Sequence, residues 1–327
     1  MIAIKKQVKL ASLPNFIIVG ERRCGSTSLT KWMEAHPEIY MHPKVDLNYF
    51  IDDYVKYMRK EWEAGECDYE AWWDNHSAED YAAEFAPGKE LPARGEKSAD
   101  LLFWRPAHER MAKVIAPDTK LIITLRNPIN RAWSMFWNEV GKKREHLSFA
   151  EAVAQEEQRI RESAYARDHM SYVTRGFYDE SIKDFYEYFD PEQSQIIFFE
   201  ETVQNPKKTL SNLYDFIGVN PQKGMERAEI RYNNNWTSVP YPFWTRHTFL
   251  ATAEEGFTKA LRLAMSILIR DGYKKRRIVP KIEGLYRQIQ RDMEMAAETR
   301  SLLQKTYLPH IEALEDFLKK DLSFWKK

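Results

Sequence analysis

The sequence predicts an α/β fold, a central parallel sheet with helices on both faces. Three observations carry this. Phe16-Ile17-Ile18-Val19, Leu121-Ile122-Ile123-Thr124-Leu125 and Gln195-Ile196-Ile197-Phe198-Phe199 are short runs with almost no polar residue, the pattern of strands buried on both faces. Segments of helical character lie between them, and strands alternating with helices imply a parallel sheet. The first run also opens into a loop bounded by Gly20 and Gly25 and followed by a helical pattern, a strand–loop–helix unit.

Taken in order, the first strand follows Pro14-Asn15 and ends at Gly20. The helix expected over Thr27–Ala35 is closed by His36-Pro37, because the residue before proline avoids the helical region. Residues 50–95 are rich in Trp, Tyr, Glu and Asp without a clear period, and read as helices and loops inserted over the sheet edge. After the second strand, Asn127-Pro128 starts a helix with proline near its first position. Phe149–Arg161 reads as a charged amphipathic helix. Tyr178, Ile182, Phe185, Tyr186 and Phe189 recur at helical spacing. The third strand precedes a helix over Pro206–Ile217, stopped by Gly218. Residues 231–246 hold Asn, Pro and aromatics without a period, as a lid or substrate loop would. Residues 251–320 read as mostly helical. No internal repeat or low-complexity linker interrupts the chain.

With 327 residues, 43% of them hydrophobic, there is apolar material for one large domain, residues 1–327, carrying the insertions at 50–95 and 231–246. The 49 basic and 49 acidic residues balance, so net charge points to neither a nucleic-acid nor a membrane partner. The two cysteines, Cys24 and Cys67, imply no disulfide framework. The first residues lack the long apolar core of a secretory leader. The longest apolar run, near Leu263–Ile269, is too short to span a bilayer. The expectation is a soluble, cytoplasmic protein.

Gly20-Glu21-Arg22-Arg23-Cys24-Gly25-Ser26-Thr27-Ser28-Leu29 would point successive backbone N–H groups at an anion and seat it on a helix N-terminus. The glycines and Thr27 match the triphosphate-binding loop, G-x-x-x-x-G-K followed by Ser or Thr. Ser26 stands where that loop has its lysine, and the cations sit inside the loop at Arg22 and Arg23. A tight turn with a hydroxyl cap is the plainer reading of the segment alone. The second strand ends in Arg126-Asn127-Pro128-Ile129-Asn130-Arg131-Ala132-Trp133-Ser134. An arginine at a strand end beside a helix N-terminus suits a phosphate monoester, and Ser134 lies two turns further on. Alone, this too could be a structural ion pair. Together, two anion sites on neighbouring strand ends describe a ligand with two separated phosphates.

Gly20–Leu29 resembles the 5′-phosphosulfate loop of the sulfotransferases that use 3′-phosphoadenylyl sulfate, and Arg126-Asn127-Pro128-x-x-Arg131-Ala132-x-Ser134 resembles their 3′-phosphate motif. Glu96-Lys97-Ser98 is similar to the family's Glu-Lys-Ser/Thr segment. Arg175-Gly176-Phe177-Tyr178 with Phe185, and then Gln195–Glu201, resemble its Gly-x-Tyr helix and third strand. Tyr307, Leu314-Glu315 and Asp321-Leu322-Ser323-Phe324-Trp325 resemble the tail of many bacterial members. The resemblance covers roughly residues 14–220 and 305–325, and lies nearer the heparan sulfate enzymes than the phenol enzymes.

The resemblance implies a P-loop-like sulfotransferase fold and transfer of a sulfuryl group from that donor, without a metal. The acceptor would be a hydroxyl or amine of a carbohydrate or glycoconjugate, or alternatively of a lipid or small-molecule alcohol. A homodimer is compatible with it. Arg23 and Lys97 would stabilise the charge at the transferring group. Arg22, Arg23, Cys24, Gly25, Ser26, Thr27 and Ser28 would hold the 5′-phosphate; Arg126, Ser134 and Arg231 would hold the 3′-phosphate. The heparan sulfate enzymes use a glutamate ahead of two aromatics as general base. Lys44-Val45-Asp46-Leu47-Asn48-Tyr49-Phe50 has that shape with Asp46 at the carboxylate position. Asp100 and His42 are lesser candidates. The adenine pocket falls to the 231–246 loop, with Trp133 and Trp137 read as core. The competing classes are a nucleotide kinase on a related scaffold and a binding module without turnover. The eight histidines form no metal-ligand pattern.

Overall fold

The computed structural model describes residues 12–44, 46–51, 77–142, 144–225 and 295–326. Five strands, β1 (Phe16–Gly20), β2 (Ile39–Met41), β3 (Ala93–Lys97), β4 (Lys120–Leu125) and β5 (Ser194–Phe198), form a sheet of order β2-β3-β1-β4-β5. All the pairings are parallel, with Ile17 opposite Glu96 on one side and Leu121 on the other. The parallel sheet expected from the three apolar runs is thus present.

The flanking helices are α1 (Ser26–Met33), α2 (Ala78–Ala83), α3 (Arg105–Val114), α4 (Pro128–Gly141), α5 (Phe149–Glu162), α6 (Ala164–His169), α7 (Tyr178–Tyr186), α8 (Phe199–Gln204), α9 (Pro206–Phe216) and α10 (Ala297–Leu318). Alternate residues of β1 feed two cores because successive strand side chains point to opposite faces. Ile17 and Val19 join Leu121, Ile123, Met111, Ile129, Ile182 and Tyr307 under α3, α4, α7 and α10. Phe16 and Ile18 join Leu29, Met33, Ile122, Leu213 and Tyr214 under α1 and α9. The Ser148 hydroxyl caps α5 and accepts from the Glu151 N–H, while the Glu151 carboxylate reaches back to residue 148.

Two strands were not expected. β2 has three residues, too few for a period to show. β3 reads Ala93-Arg94-Gly95-Glu96-Lys97, is central, and is still rich in polar side chains. Gly95 is required there because a Cβ would lie 2.3 Å from the Phe16 carbonyl of β1. The 231–246 loop, Arg231, and most of 251–320 and of the 50–95 insertion lie outside the described residues.

The connection from β1 runs toward β2, while that from β4 runs toward β5. The crevice beyond the carboxyl ends of β1 and β4 is therefore a topological switch point, where open α/β sheets bind ligands.

Candidate active site

The loop leaving β1 is fastened to β4 before it turns. The Glu21 N–H donates to the Thr124 carbonyl at 2.7 Å, and the Thr124 hydroxyl donates to the Gly20 carbonyl at 2.9 Å. Gly20 has φ 126°, and a Cβ there would lie 2.5 Å from the Ala99 carbonyl. Gly25 has φ 90° and precedes the first turn of α1. Among the described residues no acceptor takes the N–H groups of Gly25, Ser26 or Thr27. Thr27 and Ser28 expose their hydroxyls at the same helix end, and Ser26 is buried beneath them. The loop thus gathers these N–H groups and hydroxyls at one helix N-terminus, an arrangement that favours anions in general.

Arg23, with φ 69°, leans across the crevice to α4, donating to the Ser134 hydroxyl at 3.2 Å and to Asn138 Oδ1 at 3.3 Å. Arg126, at the end of β4, donates to the Arg23 carbonyl at 3.3 Å and lies 4.6 Å from the centre of the Phe199 ring. Its Nε has no hydrogen-bond partner among the described residues. Burial, and then Arg126, push the Arg23 guanidinium down to about 9; burial likewise lowers Arg126. The two like charges are held side by side, and burial disfavours both. The structure thus brings Arg23, Arg126 and Ser134 together as expected, and adds Asn138, one helical turn beyond Ser134. The i, i+4 spacing could have revealed it.

Arg22 departs from its expected place in the cradle. Its guanidinium turns inward onto Asp100 and, at 2.5 Å, Asp168, and its N–H donates to Glu21 Oε1. Burial opposes its charge, but Asp100 and Asp168 outweigh burial and hold its pKa above the ordinary value. Arg175, fully buried, completes the cluster with Glu21 and Asp100, each at 2.8 Å. The same pairs occupy Asp100. Although its burial raises the pKa, Arg22 and Arg175 bring it below the usual carboxylate range, which removes it as a base candidate. Cys24 also turns inward. Its thiol lies 3.7 Å from both the Arg22 carbonyl and the Tyr178 hydroxyl, its N–H donates to the Glu21 carbonyl, and burial raises it to about 12.

Lys97 and Asp46, separated by half a hundred residues, form an ion pair of 2.7 Å. Lys97 is buried, whereas the Asp46 side chain is 36% exposed. Asp46 Oδ1 also accepts from the Ala99 N–H at 3.1 Å, and no bond to Oδ2 is formed among the described residues. The segment is stitched to β3 by the Asp46 N–H on the Lys97 carbonyl and the Asn48 N–H on the Ser98 hydroxyl. Asp46 and Asn48 both adopt left-handed backbone, φ 55° and 60°. Glu96 points to the other face, where Tyr81 and Ser98 satisfy it at 2.6 and 2.8 Å. His42 pairs with Glu84 at 3.0 Å and its other ring nitrogen accepts from the Lys44 N–H, so it is committed elsewhere. Trp133 and Trp137, both half-buried, pack edge to face with each other and around Phe136 against the core.

Beside the loop is a recess lined by Cys24, Gly25, Leu29, Trp32, Ile197 and Phe199, among others. The Gly25 position has no room for a side chain, since a Cβ would lie 2.9 Å from the Phe199 ring.

Comparison with known proteins places this geometry. The chain is 26% identical over 217 residues to a bifunctional heparan sulfate N-deacetylase/N-sulfotransferase 1 of Caenorhabditis briggsae, covering 62% of this chain and 22% of that protein. It is 22% identical over 207 residues to mouse heparan sulfate glucosamine 3-O-sulfotransferase 3B1, covering 63% of this chain and 46% of the relative. The chain therefore spans less than half the length of these curated relatives. A solved sulfotransferase from Alicyclobacillus acidocaldarius matches with a TM-score of 0.62 and 26% identity, over 96% of this chain and 99% of that one. The model of the sulfotransferase family matches residues 14–223, which hold the loop, Asp46, Lys97, Arg126 and Ser134, and by that match the chain belongs to the sulfotransferase family.

Proposed function

We propose that the chain transfers a sulfuryl group from 3′-phosphoadenylyl sulfate to a hydroxyl or amine of a carbohydrate or glycoconjugate. The observation that carries this is the Arg23–Arg126 pair, two largely buried guanidiniums on neighbouring strand ends next to a helix N-terminus. The residues fit such a donor. The bare N–H groups of Gly25–Thr27 suit its 5′-phosphate. Arg126, with its orphaned Nε, and Ser134 suit its 3′-phosphate.

When bound, the donor supplies the sulfuryl group. The chain's own contribution is placement and charge. Arg23 reaches between the two phosphate positions and neutralises the phosphate side as the bond to sulfur breaks. Lys97 holds Asp46 by Oδ1, and the partly exposed carboxylate keeps Oδ2 to accept the proton of an attacking hydroxyl. The acceptor class rests on the heparan sulfate names of the two curated relatives; a lipid or small-molecule alcohol is the alternative.

The test has two parts. Adenosine 3′,5′-bisphosphate should bind without Mg²⁺, and label should pass from the donor to a desulfated heparan oligosaccharide. Mg²⁺-dependent ATP binding with no affinity for the bisphosphate would overturn the donor; transfer to simple alcohols but not to saccharides would overturn the acceptor.

A further inference from the structure

The turn Ser323–Trp325 packs against the carboxyl ends of β4 and β5 through Phe324 and, more deeply, Trp325. Trp325 is 1% exposed. Its indole N–H donates to Glu200 Oε2 at 3.1 Å, and its carbonyl accepts from Asn127 Nδ2 at 3.2 Å. Its ring lies 5.8 Å from that of Tyr178 and 5.4 Å from that of Phe198.

Each of the polar contacts leads to the peptide that carries Arg126. Glu200 Oε1 accepts from the Asn127 N–H at 2.9 Å. Tyr178 donates its hydroxyl to the Arg126 carbonyl at 2.9 Å. Asn127 caps α4 by accepting from the N–H groups of Ile129 and Asn130. Phe199, the residue before Glu200, lies against the Arg126 guanidinium. The Arg126–Asn127 link is thus gripped at its carbonyl, its N–H and its cap, and Trp325 touches all three grips. The turn itself is held by the Leu322 N–H on Glu315 and by Lys320 on Glu201.

We propose that Trp325 is a positioning residue for the second phosphate of the donor, fixing through Glu200, Asn127 and Tyr178 the direction in which Arg126 presents its buried Nε. This rests on the donor assignment above. Three contacts converging on one link reduce the angular freedom of a guanidinium whose value lies in its aim. The loop before Gly25–Thr27 is tied to β4 at Thr124 through Gly20 and Glu21 and to Arg126 through the Arg23 carbonyl, and none of these bonds involves Trp325, Glu200 or Asn127. The grip should therefore affect one phosphate and spare the other.

The experiment measures calorimetric affinities of the whole chain for adenosine 3′,5′-bisphosphate and adenosine 5′-monophosphate, in the parent, Trp325→Phe and Glu200→Gln. Trp325→Phe keeps an aromatic ring and loses the indole N–H. Glu200→Gln spares the buried indole and replaces one carboxylate oxygen by a donor. Each variant should lose roughly tenfold in bisphosphate affinity, the worth of one hydrogen bond to a charged group, with the monophosphate unchanged within about twofold. Equal losses on both nucleotides would mean general loosening and would overturn the proposal, as would no loss in Glu200→Gln. A parent chain that binds both nucleotides equally would instead overturn the donor assignment, and the proposal with it.

Discussion

Replacing Arg126 with glutamine separates a ligand-seeking arginine from a structural one. In the unliganded fold Arg126 contributes a 3.3 Å hydrogen bond to the Arg23 carbonyl and a ring contact at 4.6 Å with Phe199. Such contacts are worth about 1 kcal/mol each. Against them stand the burial of the guanidinium and its repulsion of Arg23, both visible as depressed pKa values. Like charges several ångströms apart in an effective dielectric of about 20 repel by about 2 kcal/mol. The opposing contributions cancel to within about 1 kcal/mol, so the unliganded melting temperature should move by less than about 4 °C. With ligand the balance tips. Two charge-assisted hydrogen bonds to a phosphate, at about 1.5 kcal/mol each, are lost, and bisphosphate affinity should fall about a hundredfold. Thermal unfolding without ligand and calorimetry with adenosine 3′,5′-bisphosphate report the two halves. A melting temperature lowered by more than about 10 °C with affinity intact would make Arg126 structural and refute the reasoning.

Three other expectations follow from the same geometry. Lys97→Ala and Asp46→Asn should each lower turnover by about a hundredfold or more, the usual scale for removing an acid–base or charge-stabilising group, while bisphosphate affinity stays within about threefold; equal losses in both would mean the pair only holds the fold. Gly20→Ala should destabilise far more than Gly218→Ala, measured by chemical denaturation. At Gly20 a Cβ meets the Ala99 carbonyl at 2.5 Å, whereas Gly218, with φ 77°, has nothing within 4 Å and should cost only the left-handed strain of about 1 kcal/mol. Burial pushes the His108 imidazole down to about 4 as its ring N–H donates to the Leu101 carbonyl. Its stabilising effect is complete above the unfolded pKa near 6.5 and is lost as pH falls toward 4, at about 1.4 kcal/mol per unit. Denaturation at pH 7 and pH 5 should show His108→Gln with the shallower loss. Taking the difference from the parent removes Glu21 and Asp168, whose burial-raised pKa values act with the opposite sign.

The strands legible in the sequence were those whose residues answer only to burial. β1 and β4 lie at and beside the centre of the sheet, and their apolar runs announce it; β5 is an edge strand, but its Ile197 and Phe198 still feed the two cores. β3 is equally central but obeys two masters. Glu96 and Lys97 are buried because Tyr81 and Asp46 come from other segments to meet them. Nothing local records those partners, so a buried strand reads as polar. The turn of the Gly20–Gly25 loop was legible because backbone conformation sets it, and glycine spacing reports backbone conformation directly. The fate of Arg22 was not, because adjacent arginines in a loop look alike until Asp100, Asp168 and Arg175 are brought against one of them. The convergence of Asp46 with Lys97 came from family resemblance and not from spacing.

The left-handed backbone at Asp46 and Asn48 bears on which acid the site can use. That region is tolerated by aspartate and asparagine, whose short side chains bond locally, and much less by longer ones. Asp46 does so, with Oδ1 on the Ala99 N–H while its own N–H reaches the Lys97 carbonyl. Where the heparan sulfate enzymes that this segment resembles carry a glutamate, this chain trades a methylene of reach for a carboxylate locked to the rim of β3. In engineering terms, lengthening the acid is not a side-chain edit. Asp46→Glu meets that left-handed backbone at a cost of about 1–2 kcal/mol, so the loop that holds residue 46 has to be redesigned along with the acid.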